Sequence, residues 1–166
     1  NLGQQDIVKA LEWINRNIAK FGGDPSNVTV GGQSGGGGKV STLLAMPSAK
    51  GLVHKAVVQS GSTLRSGDAE ASKAAGIEFA KALGVTAANP SKVNEYTYEE
   101  LLQIYSSVTT EGRSPMSGLR LIGSPVVDGN ILPRHPFSPD APEISKDIPV
   151  IIGTAFNEFS FENPPI

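Results

Sequence analysis

Cysteine is absent from the sequence, which excludes disulfides, thiolate metal sites and cysteine nucleophiles and leaves the compartment open. Charge of one sign is equally scarce. Fourteen Lys and Arg against 16 Asp and Glu leave a net charge of −2, too balanced to draw nucleic acid or an anionic membrane by electrostatics. No run approaches the roughly 20 apolar residues of a membrane-spanning helix, and no secretory pattern stands at the amino terminus. Histidine is limited to His54 and His135, and no spacing of His, Asp and Glu suggests a metal site. What is abundant is glycine, at 19 of 166 residues, with 12 prolines and an apolar fraction of 39%. That composition fits one domain with many turns. A start at Asn1 rather than methionine, and an end at Pro-Pro-Ile, read as those of a processed or partial chain.

The glycines concentrate around one serine. Val28-Thr29-Val30 is β-branched and favours a strand, while Val40, Leu43 and Leu44 have the spacing of a helix that Pro47 would end. Between them Gly32-Gln33-Ser34-Gly35-Gly36 fits G-x-S-x-G, which in a strand-to-helix turn makes a nucleophile elbow. The serine would sit at a strained apex, with glycine required two positions away on either side. In so glycine-rich a chain the bare pattern arises by chance roughly one time in five, so the flanking strand and helix carry the assignment. A phosphate-binding G-x-x-x-x-G-K-[ST] loop competes for Gly38-Lys39, but its first glycine falls on Gln33 and its hydroxyl on Val40.

Along the chain, apolar residues at 7, 11, 14, 18 and 21 predict a helix closed by Gly22-Gly23. After the elbow helix, Ala56-Val57-Val58-Gln59-Ser60 reads as a strand. Helix, strand, helix, strand predicts an α/β fold, a mostly parallel sheet with crossover helices. Asp68 to Leu83 and the stretch opened by the capping box Thr97-x-x-Glu100 are two helices with no strand between them, a helical lid insertion. The expected parts are thus 1–67 (helix, elbow strand, elbow helix, next strand), 68–112 (helical insertion) and 113–166. The last is an irregular segment followed by a buried strand at Val150-Ile151-Ile152.

A serine needs a base to take its proton and a carboxylate to orient that base. In a parallel sheet, side chains just beyond the carboxyl ends of the strands converge on one edge. Glu158 lies past the last strand, on the edge expected for Ser34, whereas Asp147 precedes that strand and Asp128 has no assigned edge. The triad order for this sheet type is Ser, acid, His, yet both histidines precede Glu158 and His54 lies before its strand. The base is therefore expected from outside the segment.

The blocks Asn1-Leu2-Gly3 to Asp6, Ala10-Leu11-Glu12-Trp13-Ile14, Phe21-Gly22-Gly23-Asp24-Pro25-Ser26-Asn27-Val28-Thr29, Gly51 to Gly61, Ser124-Pro125-Val126-Val127-Asp128-Gly129 and Gly153-Thr154 with Asn157-Glu158 resemble, in register, the type-B carboxylesterase family that includes the cholinesterases. The resemblance implies the central piece of an α/β-hydrolase, incomplete at both ends. It implies a serine esterase in which Ser34 forms the acyl-enzyme and the Gly35 N–H helps bind the oxyanion, where the family usually has alanine. Such a donor contributes roughly 3 kcal/mol to the transition state. Glu158 would be the triad acid, with Phe159 where the family block often has glycine, and Ser60 a supporting serine. Gln33 would stand where cholinesterases carry glutamate, against a cationic choline substrate. The glycine-rich oxyanion loop would precede Asn1 and the histidine would follow Ile166. The partners implied are a small-molecule ester and the remainder of the polypeptide, with no metal or organic cofactor. The alternative is a non-catalytic adhesion or binding member of the same fold. A nucleotide-binding protein is a third reading.

Overall fold

The computed structural model describes residues 1–110 and 123–158. The chain divides into two compact units, Asn1–Ser66 with Val127–Ile166 and Gly67–Val126. Residues 111–112 of the expected insertion, and 113–122 and 159–166 of the carboxyl-terminal part, lie outside the described residues.

The first unit holds α1 (Leu2–Asn17), β1 (Thr29–Gln33), α2 (Gly35–Leu43), β2 (Lys55–Gln59) and, beyond the second unit in sequence, β3 (Val150–Gly153). The strands are parallel in the order β1-β2-β3. Gln33 stands opposite Gln59 and Gln59 opposite Gly153, so all three strands end level. Alternation along β2 turns Ala56 and Val58 into the core with Val40, Leu43 and Leu44, and α1 adds Val8 and Leu11. Asp24 prepares the turn into β1: its Oδ1 accepts from the Ser26 N–H (2.8 Å) and hydroxyl (2.6 Å).

Two expectations change. On α1 the fully buried side chains are Gln4, Val8 and Leu11, with Ile7 and Ile14 partly buried, whereas Phe21 is exposed against Trp13. The α-helix ends at Asn17 and Ile18–Phe21 winds as a 3-10 helix. Its three-residue turn puts the last part of the stripe out of phase. The β3 strand is not buried, Ile151 being 69% and Ile152 60% exposed. It is the outer strand, paired only with β2 among the described residues. Its apolar run is that of a strand covered in a larger sheet.

Gln4 is 3% exposed, and neither its Nε2 nor its Oε1 has a hydrogen-bond partner among the described residues. A buried amide without partners costs roughly 1–3 kcal/mol. Gln4→Met, close in volume, is expected to stabilise the full-length protein by about 1 kcal/mol, read as a higher urea midpoint at unchanged slope. A lower midpoint would mean that the amide is satisfied.

The second unit pairs α3 (Ala69–Ala82) with α4 (Tyr98–Thr110). Asp68 caps α3 through the Ala71 N–H (2.7 Å). Thr97 and Glu100 form the reciprocal capping box of α4 (2.8 and 3.3 Å). Phe79 meets Tyr105 edge-to-face at 5.6 Å, adding to the contact between the helices.

Candidate active site

One residue joins β1 to α2, and it is Ser34. Its backbone is left-handed (φ 54, ψ −122), a region costly for any residue with a Cβ. The Ser34 N–H donates to the Gln59 carbonyl (2.8 Å), and its own carbonyl accepts from the Gly38 N–H (3.1 Å). The exposed side chain thus leaves the sheet at the carboxyl end of β1, over the amino end of α2. Gly35 is the first residue of that helix, whose opening N–H groups have no partner within the helix. Gln33, the last residue of β1, is exposed beside the serine. A one-residue connection leaves no loop to wrap a phosphate chain, so the P-loop reading falls.

The two outer glycines of the motif are not equivalent. A Cβ on Gly32 would lie 2.3 Å from both the carbonyl carbon and oxygen of Gly36. A Cβ on Gly36 meets nothing within 4 Å among the described residues, so there the expected need for glycine holds on the strand side only. The turn folds the helix backbone over Gly32, while Gly36 points away. Gly32→Ala is expected to cost about 3 kcal/mol or more, and Gly36→Ala to add up to about 1 kcal/mol by relieving helix entropy. Urea midpoints of the two full-length variants should move in opposite directions; a shared sign would contradict the account.

Glu158 follows β3 and reaches the same rim. Its carboxylate accepts from the Ala155 N–H (2.8 Å) and lies beside the Ser60 hydroxyl, at the end of β2. The hydroxyl first and the amide second hold its pKa below the ordinary glutamate value against a small opposing effect of burial. Ser60 is itself left-handed (φ 48), and its N–H donates to Gly153 (2.8 Å). Ser34, Ser60 and Glu158 therefore stand at the ends of three adjacent parallel strands.

The other candidates go elsewhere. His54 lies at the amino end of β2, its Nδ1 accepting from the Val28 N–H (3.2 Å). His135 Nε2 faces the Arg65 guanidinium (3.2 Å). Asp147 precedes β3, at the opposite edge. Partial burial pushes the Asp128 carboxyl up, but bonds from the Leu132 and Asn130 N–H groups, the Asn1 side chain and the Ile131 N–H hold it at about 2. Asp128 thus fastens the 128–132 loop to the start of α1. Among the described residues no histidine touches Ser34 or Glu158, and no group of three or more His, Asp or Glu could hold a metal. No described helix is long and apolar enough to cross a membrane. Sequence reasoning did not single out Gln59 or Gly61, although Gln59-Ser60-Gly61 repeats Gln33-Ser34-Gly35 and was readable as a repeat.

A model of the carboxylesterase family matches residues 1–164. The para-nitrobenzyl esterase of Bacillus subtilis (strain 168) is 36% identical over 95% of this chain and 32% of its own length. The human cocaine esterase is 34% identical over all of this chain and 28% of its own. A solved PNB esterase superposes with a TM-score of 0.85 at 36% identity, covering 99% of this chain and 35% of that one. A thermophilic PNB esterase gives 0.86 at 35% identity, over 99% and 34%. The chain spans about a third of the length of the relatives it matches.

Proposed function

Because the chain belongs to the carboxylesterase family and has the α/β-hydrolase fold of those esterases, we propose that the whole polypeptide hydrolyses carboxylic esters of small molecules through an acyl-enzyme formed on Ser34. The observation that carries the reading is Ser34 at a left-handed elbow, with Glu158 on the same rim of the sheet. Strain of about 1–3 kcal/mol at such a residue is retained where a side chain must be presented.

In this reading Ser34 Oγ attacks the ester carbonyl as a histidine from outside the segment takes its proton. The carbonyl oxygen, now negative, is met by the Gly35 N–H at the start of α2, with further donors from the rest of the polypeptide. The alcohol leaves with the proton from the histidine, and water then releases the acid by the reverse path. Glu158 orients the imidazole and balances its charge, and Ser60 keeps Glu158 ionised. The neutral Gln33 beside the nucleophile offers no charge to a cationic alcohol group. The segment alone, without that histidine, is inert in this account. No step requires a cofactor.

A non-catalytic binding protein has no use for a strained serine with an ionised carboxylate on the same rim, and the relatives above are all named as esterases. A fluorophosphonate probe added to the full-length protein is expected to label Ser34. Absence of labelling, or labelling that persists in Ser34→Ala, would overturn the reading.

A further inference from the structure

Two neighbouring strands end in the same tripeptide. Gln33-Ser34-Gly35 closes β1 and Gln59-Ser60-Gly61 closes β2, with Gln33 opposite Gln59. Ser34 and Ser60 are the two non-glycine residues with positive φ among the described residues, at 54 and 48. Each donates its N–H to the neighbouring strand at 2.8 Å, Ser34 to Gln59 and Ser60 to Gly153. Glycine would take either position with less strain, so each serine is kept for its hydroxyl. One hydroxyl is exposed on the rim and the other lies beside the Glu158 carboxylate.

The copies diverge at the third residue. A Cβ on Gly35 would meet nothing within 4 Å among the described residues, whereas a Cβ on Gly61 would fall 1.9 Å from the Ser34 carbonyl oxygen, 2.5 Å from its carbon and 2.7 Å from Ser34 Cα. The second turn is therefore seated on the main chain of the first, with no side chain between them. The same segment is fastened to α2 a little further on. The Thr63 N–H donates to Ser41 Oγ (3.3 Å), and that hydroxyl donates to the Gly37 carbonyl (3.0 Å).

We propose that Gly61 is a positioning residue for ester hydrolysis: its main-chain contact with Ser34 sets the spacing between the nucleophile's turn and the turn at the end of β2, on the side of the sheet rim from which Glu158 comes. The proposal rests on the reading of Ser34 as nucleophile. All the atoms that transmit the spacing are backbone, apart from the Ser60 hydroxyl. A methyl group at residue 61 can be accommodated only if the two turns part by more than about 1 Å, and a misplacement of about that size costs on the order of 100-fold in rate. Ser41 supports the arrangement from the helix side.

The test uses the full-length protein as wild type, Gly61→Ala and Ser41→Ala. Active sites are counted by fluorophosphonate titration carried to completion, and kcat is measured per titrated site on a p-nitrophenyl ester. A role in folding alone lowers the fraction of sites that titrate and leaves kcat per site unchanged. Positioning lowers kcat per site about 100-fold in Gly61→Ala, with KM within about threefold of wild type. Ser41→Ala, a small change that unhooks the turn without a clash, is expected to lower it several-fold. If kcat per site stays within about twofold of wild type in every variant recovered folded, the proposal is overturned. Wild-type protein that takes no probe on Ser34 would instead remove the nucleophile reading itself.

Discussion

Ser34→Ala is expected to lower esterase turnover of the full-length protein by on the order of a million-fold while leaving its fold intact. The hydroxyl is the only group removed, and alanine meets the left-handed backbone with the same Cβ as serine. Ser34→Gly sharpens the expectation. It should be equally inactive yet more stable, by about 1 kcal/mol, because glycine adopts a φ near 54 without strain. Loss of activity with a gain in stability is the signature of strain held for function. A Ser34→Gly protein less stable than wild type would mean that the serine is there for packing.

Glu158→Gln is expected to reduce kcat/KM by roughly ten-thousand-fold, the scale seen when a triad acid is neutralised. The amide keeps one oxygen to accept from the Ala155 N–H, so the turn after β3 should survive. What it loses is the charge that, in the proposed mechanism, favours an imidazolium on the histidine supplied from outside the segment. The pH dependence follows from the sign of the shift. With its carboxyl held below the ordinary glutamate value by Ser60 and Ala155, Glu158 stays charged throughout the neutral range. Whatever stability its bonds contribute is present above the ordinary glutamate pKa and is lost as the pH falls through the lowered one. A fall of less than about tenfold in kcat/KM at pH 7 would show that Glu158 does not act on the base.

Much of this arrangement was legible in the sequence because it rests on short-range rules. A β-branched run, a glycine-flanked serine and a 3.6-residue apolar spacing point to the β1–α2 elbow. Parallel strands joined by crossovers send Ser34 and Glu158 to one edge whatever the details of packing. Three features resisted for identifiable reasons. The buried face of α1 includes Gln4, a polar residue that no apolar periodicity marks, and the helix changes winding after Asn17. The apolar run of β3 reads as buried because sequence records which side chains suit a covered strand, whereas exposure depends on what lies beside it. The roles of Gly36 and Gly61 depend on where a Cβ would point in a tight turn, which no pattern of residue types encodes.

The most direct test is to quench the full-length protein during the proposed turnover of a slowly deacylating ester and locate the added mass by peptide mapping. The acyl group is expected on the hydroxyl of Ser34, in amounts that vanish with Ser34→Ala. An acyl group on any other residue, or turnover with no covalent intermediate while Ser34→Ala remains active, would contradict it.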